Sequence, residues 1–224
     1  MNAQELTGRV RTHVTDVADP RCTLHVDVVA PFTSLRRAAL AEGFDPEPVS
    51  SFRDFPRQLS IWNAKFTGER AILDAAGAPI AVHAMSAVQR VAAILLWSAL
   101  PGASRHHWGT DLDLIDRRAA PIGYAARLIP DEYSPGGPFA PMGAWLEQNA
   151  ARWGFFHPYR GVRSGVGAEP WHLSFAPLAE PARDALTPQV LRAAIETAAM
   201  LGKAEVIARI EELHARYVAA IDWP

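Results

Sequence analysis

At 224 residues the chain has room for one large domain or two small ones, and a single domain over 1–224 is expected. Its 49% hydrophobic and 21% charged content is that of an ordinary globular protein. A net charge of -2 offers no basic face for nucleic acid, so an anionic ligand must be met by local arginines.

In chain order, residues up to about Arg21 are polar and weakly periodic, an arm with a short helix. Met1–Arg9 lacks the apolar stretch of a secretory signal, and with Met1 as the start a cytoplasmic location is expected. Cys22 is the single cysteine, which excludes an internal disulfide and zinc ligation by paired thiolates. Leu24–Ala30 alternates and is rich in β-branched residues, so it reads as a strand. Ser34 caps a helix to about Glu42, and Val49–Phe52 forms a short strand. Pro56 opens a helix to about Lys65. A stronger helix runs from Ser86 to Leu100 and is stopped by Pro101-Gly102.

Strands are expected at Thr110–Ile115, Gly123–Ile129 and Trp171–Phe175, and a helix at Met142–Ala151. The Pro/Gly-rich run Ser134–Pro141 reads as a loop over the site. Thr187 and Pro188 open two helices broken near Gly202. No run of about 18 apolar residues exists for a membrane helix. Helices interrupt short strands without sustained βαβ alternation, which predicts an α+β fold around a small antiparallel sheet flanked by helices. The motif-bearing core spans about residues 24–180, with a C-terminal helical extension over about 187–220.

The chemistry concentrates in two segments, Ser104-Arg105-His106-His107-Trp108-Gly109-Thr110-Asp111-Leu112-Asp113 and Glu169-Pro170-Trp171-His172. Catalytic zinc takes three N/O protein ligands and keeps a fourth position open. His106, Asp113 and His172 fit that set, one zinc per chain, and Glu169 fits as the base that takes a proton from water. On a strand, Asp111 and Asp113 share one side while Leu112 and Leu114 face the other. One carboxylate then ligates, and the other can hold a histidine N–H. Glu169 and His172 are three apart and would oppose on a regular strand, but Pro170 allows a bend that brings both to the site. Trp108 and Trp171 are either core or walls of an apolar pocket. The remaining histidines, His13, His25, His83, His157 and His214, have no such company and read as surface or satisfied core residues.

These residues resemble the VanY-type D-alanyl-D-alanine carboxypeptidases, zinc peptidases sharing a core with the hedgehog signalling domain. The family's Ser-x-His-x-x-Gly-x-Ala-x-Asp is met by Ser104, His106, Gly109, Asp111 and Asp113, and its Glu-Pro-Trp-His by Glu169–His172. A third block, Ser-Gly-Tyr-Arg-Ser with a later Gln, is similar to Ser50-Ser51-Phe52-Arg53-Asp54 with Gln58. The resemblance covers about residues 50–175. It implies a hedgehog/D,D-peptidase-like fold, zinc on His106, Asp113 and His172, and Glu169 as general base. It further implies that Arg53 pairs with the substrate carboxylate or the oxyanion, and that Gln58 and Ser104 line the substrate groove; Trp171 is taken with them as a substrate-binding residue. Three departures from the pattern stand out. Asp111 replaces the family's Ala, Ser51-Phe52 replaces Gly-Tyr, and Asp54 replaces the last Ser and is expected to neutralise part of Arg53's field.

The function implied is removal of a C-terminal D-alanine from peptidoglycan-derived peptides, by L,D- or D,D-carboxypeptidase action on soluble muropeptides in cell-wall recycling. No nucleic acid, membrane or protein partner is implied. The competing enzymes are a D-Ala-D-Ala dipeptidase and a peptidoglycan endopeptidase. A zinc-bearing, hedgehog-like binding domain is the non-enzyme alternative, against which Glu169 and Arg53 speak.

Overall fold

A computed structural model of the protein describes residues 1–161 and 163–223. In chain order the elements are α1 (Ala3–Leu6), β1 (Val14–Val17), β2 (Cys22–His25), α2 (Val29–Ala41), β3 (Pro46–Ser50), α3 (Phe55–Thr67), β4 (Ile72–Leu73), β5 (Pro79–Ile80), α4 (Ala87–Leu95), β6 (Asp111–Asp116), α5 (Ala140–Asn149), β7 (Phe155–Phe156), β8 (His172–Phe175), α6 (Ala176–Ala185), α7 (Pro188–Glu196), α8 (Lys203–Ala208) and α9 (Ile210–His214). The fold is α+β. Its principal sheet has four antiparallel strands in the order β3-β6-β8-β7, and two small hairpins pair β1 with β2 and β4 with β5. β3 carries Pro46 and Pro48 and lies at the edge, the position where a strand tolerates residues without N–H donors. Among the described residues no helix is long and apolar enough to cross a membrane.

The sheet separates two buried clusters. Leu112, Leu114 and Leu173 point from β6 and β8 into one cluster, where Phe32 and Leu35 of α2 meet Met142 and Leu146 of α5. The larger cluster joins Trp62 of α3, Val91 and Ile94 of α4 and Trp108 to Leu191, Ile195, Val206, Ile210 and Leu213 of α7–α9. The C-terminal helices thus share the core of α3 and α4. Side-chain caps set the helix starts. Asp54 accepts from Arg57 N at 2.8 Å with Pro56 in the first turn of α3, Ser86 and Gln89 form a capping box on α4, and Thr187 caps α7.

Several sequence expectations are corrected. The strand expected over Leu24–Ala30 ends at His25, whose Nδ1 accepts from Asp27 N at 3.2 Å and starts a turn leading into α2, five residues before the expected Ser34 cap. No strand forms over Gly123–Ile129. There the Glu132 carboxylate accepts from Arg127 N at 3.0 Å and Ile129 N at 3.4 Å, taking donors a partner strand would need. The helix expected to reach Leu100 closes at Leu95. β1 and α6 were not expected from the sequence. Asp54 caps α3 and forms no ion pair with Arg53, so the expected neutralisation of the guanidinium does not occur by direct contact.

Candidate active site

Register in the sheet builds the site. Asp113 of β6 stands opposite Ser50 of β3 on one side and His172 of β8 on the other, and Asp111 stands opposite Ser174. Residues two apart share a face. The face opposite the leucines therefore presents Asp111, Asp113, His172 and Ser174 together. His106 arrives from a short 3-10 turn, Arg105–Trp108, that ends at Gly109 with φ of 68°. A Cβ on Gly109 would come within 2.7 Å of the His25 backbone N, so left-handed geometry and close approach both require glycine there.

His106, Asp113 and His172 are buried, and one ligating atom from each lies within 4.8 Å of the others. His106 Nε2 is 3.3 Å from Asp113 Oδ2, and His172 Nδ1 is 3.4 Å from Asp113 Oδ1. Ligand atoms about 3.3 Å apart are what a tetrahedral zinc with bonds of about 2.0–2.1 Å requires. The second nitrogen of each imidazole is already engaged. His106 Nδ1 lies 2.8 Å from the Ser51 carbonyl, and His172 Nε2 lies 2.8 Å from Asp111 Oδ1. Such anchoring fixes the ring and directs the other nitrogen to a metal. Asp113 Oδ1 is buried without a hydrogen-bond partner. An unpaired buried carboxylate oxygen is costly in isolation and suits a cation. The donor set fits zinc.

Asp111 supplies the outer support. Its Oδ1 accepts from Arg105 Nε at 2.8 Å and its Oδ2 from Thr110 Oγ1 at 2.5 Å. Arg105 also donates to Ser174 Oγ at 2.5 Å and lies over Trp108 at 4.9 Å. Burial disfavours charge on Asp111, but Arg105 and His172 outweigh it and hold the carboxyl well below its usual range. For His172, burial likewise opposes protonation, and the hydrogen bonds its ring donates to Asp111 and Glu169 overcome it, pushing its pKa up to about 10.

Glu169 reaches the same metal face. The backbone turns at Pro170, where His172 N donates to the Glu169 carbonyl at 3.0 Å, and Glu169 Oε2 comes to 3.0 Å from His172 Nδ1. Nδ1 cannot bond Glu169 and ligate a metal at once, so occupation of the site frees the carboxylate. Arg53 is aimed by Ser50 Oγ, which accepts from Nη2 at 2.8 Å, and by Gln58 Oε1, which accepts from Nη1 at 2.9 Å. Burial lowers its pKa, while Asp113 and Glu169 raise it.

Arg53, Ser104, His106, Asp113, Glu169 and Trp171 border one cavity of 570 Å³. Its far wall is Arg127–Asp131, and Tyr217 and Val218 close another side. The Pro/Gly-rich run Ser134–Pro141, expected over the site, is not part of this wall. Gln58 does not line the groove either. It is 1% exposed and sits behind Arg53, with its amide donating to the Ala99 carbonyl at 2.7 Å.

Sequence reasoning missed Arg105, the partner of Asp111, and three further supporting residues. His107 is fully buried, its Nδ1 bonds the Arg53 carbonyl at 2.6 Å and its Nε2 accepts from Gly102 N at 3.1 Å. Burial drives its pKa down to about 3. Tyr159 sets its ring edge against His172 at 5.2 Å, and its carbonyl accepts from Glu169 N at 2.9 Å. His157 Nδ1 bonds the His172 carbonyl at 3.0 Å. The signal available for His107 was its place inside the ligand motif; Tyr159 and His157 join the site only through folding.

An antiparallel sheet with this cluster on one face, bordering a cavity that also holds Glu169 and Arg53, is an arrangement suited to a metal-dependent hydrolase. The sequence profile of VanY, D-alanyl-D-alanine carboxypeptidase, matches residues 21–178, and the chain belongs to that family of peptidases. An uncharacterized protein of Haemophilus influenzae is 36% identical over 121 residues, 53% of this chain and 92% of that protein. A second from the same organism is 39% identical over 103 residues, 45% of this chain and 70% of that one. VanYB in complex with D-Ala-D-Ala has a similar fold, with a TM-score of 0.55 at 20% identity over 84% of this chain and 91% of that one. The Zn(II) complex of a mutant D,D-pentapeptidase VanY from a VanB-type vancomycin-resistance cassette gives 0.54 at 21% identity, over 79% and 84%.

Proposed function

We propose that the protein is a zinc-dependent carboxypeptidase that removes a C-terminal D-alanine from peptidoglycan-derived peptides. The observation that carries this reading is the buried trio His106, Asp113 and His172, with the unpartnered Asp113 Oδ1, at the base of a cavity that also holds Glu169 and Arg53. The Zn(II) and D-Ala-D-Ala complexes of the two similar structures support the choice of metal and substrate.

In this reading His106 Nε2, Asp113 and His172 Nδ1 would hold one zinc, which would supply Lewis-acid polarisation of the scissile carbonyl and lower the pKa of water toward neutral. Glu169 Oε2 takes the proton of the attacking water and returns it to the departing amine. Arg53 grips the terminal carboxylate, since a guanidinium fixed by Ser50 and Gln58 presents its remaining donors in a rigid fork. Ser104 and Trp171 shape the cavity around the peptide. Mass spectrometry of purified muropeptides incubated with the enzyme, with and without chelator, tests the proposal. Chelator-sensitive loss of alanine from the tetrapeptide means L,D-action, and loss only from the pentapeptide means D,D-action. Failure to cleave either, with one zinc bound, refutes it.

A further inference from the structure

Lys65 is a buried cation of the cavity wall that, among the described residues, no carboxylate touches. It is 9% exposed, and among the described residues its Nζ donates only to Ser98 Oγ, at 2.6 Å. An ammonium has three donors, and burial of a charge is costly unless a counter-charge meets it. Among the described residues no carboxylate lies within 4.0 Å of Lys65, of the neighbouring Arg70, or of Arg53. By contrast Arg105, equally buried, has Asp111. Burial pulls the Lys65 pKa down to about 8, with Arg70 acting in the same direction and Glu169 against it.

All four groups, Arg53, Lys65, Arg70 and Ser98, border the cavity that contains the metal cluster and Glu169. Gln58, Ile61 and Lys65 recur at helical spacing on one face of α3. Gln58 holds Arg53, and Lys65 follows seven residues later, about 10 Å along the helix axis. That is the reach of about three residues of extended peptide.

We propose that Lys65, Arg70 and Ser98 form a second anion subsite, which takes a carboxylate of the peptide substrate other than the terminal one held by Arg53. This rests on the carboxypeptidase reading and narrows its substrates to peptides with an acidic side chain or a further free carboxylate near the scissile bond.

The test uses acetylated tetrapeptides ending in D-alanine, with Glu or Gln at each of the two preceding positions, and a pair ending in D-Glu or D-Gln. The quantity read is the carboxylate-to-carboxamide ratio of kcat/KM. At one position we expect a ratio of about ten or more, the scale of a charged hydrogen bond. It should fall toward one in Lys65→Met and decrease in Arg70→Gln. The responsive position tells whether the carboxylate lies on the acyl or the leaving side. A wild-type ratio near one throughout overturns the proposal even if Lys65→Met fails to fold, and so does a large ratio that both variants retain. Cleavage of the carboxamide peptides reports the peptidase reading independently. If no peptide is cleaved, that reading fails, and calorimetric binding of the same pairs to the zinc-loaded protein decides the subsite. Tighter binding of the carboxylate peptide, lost in Lys65→Met, upholds the subsite, and equal binding overturns it.

Discussion

Glu169 and Asp111 both touch His172, from opposite nitrogens, and their substitutions should separate chemistry from metal binding. Glu169→Gln is expected to keep zinc and lose about 10²–10⁴ in kcat, the scale of general base catalysis. Elemental analysis and steady-state kinetics on one preparation check both halves, and activity within a few-fold of wild type removes Glu169 from the mechanism. Asp111→Asn leaves Arg105 buried without its counter-charge. It should weaken zinc binding by about 10–100-fold and cost about 3–5 kcal/mol of stability. In the pair Arg105→Met with Asp111→Ala most of the stability should return while zinc affinity stays low, because a buried ion pair is replaceable by apolar groups but the His172 anchor is not. Competition with a zinc chelator and urea unfolding measure the two effects. The sequence placed both aspartates on one strand face, assigned Asp113 to the metal and left the role of Asp111 open. Their division of labour is set by the partner strand, which puts His172 opposite Asp113 and so turns its far nitrogen to Asp111.

Elements were legible where punctuation was strong. Pro56 and Asp54 fix the start of α3, Ser86 that of α4 and Thr187 that of α7, and all three helices begin where local chemistry directs. The metal segment was legible as a loop feeding a strand, because alternation from Asp111 onward has period two. What failed was governed by distant groups. The β-branched run after His25 has strand propensity, yet His25 N is spent on the Gly109 carbonyl at 2.8 Å and the chain turns into helix. The same hairpin contains His13 and His25, whose pKa values burial lowers. A histidine held neutral in the fold binds fewer protons than its unfolded counterpart once the pH drops below about 6.5, so the stability it contributes is present above that pH and lost below it. The urea midpoint should therefore fall on acidification from pH 7 to 5, and the fall should be shallower in His13→Gln. An unchanged slope would assign the acid sensitivity elsewhere.

At the scale of the whole molecule, the segment beyond residue 178 is structural to the site although it lies outside the matched family profile. Leu191 and Ile195 of α7 are fully buried in the core cluster that also holds residues of α3 and α4, and Gly165 N donates to the Arg216 carbonyl at 3.1 Å. Leu191→Ala should destabilise the protein by about 2–5 kcal/mol, read from urea unfolding. Loss of less than about 1 kcal/mol would mean that the helices are dispensable to the core.

Tyr217 and Val218 wall the cavity from a position 45 residues after His172, the last of the residues proposed to hold the metal (217 minus 172). Translation runs from the N-terminus at about 5–20 residues per second, so the complete ligand set is synthesised roughly 2–9 s before its wall. During that interval a nascent chain can carry every metal-binding side chain while the cleft that would hold a peptide is still missing one side. The residues proposed to hold the metal are thereby made before the helices that complete their supporting core, and the site is finished only when the C-terminal segment packs against it.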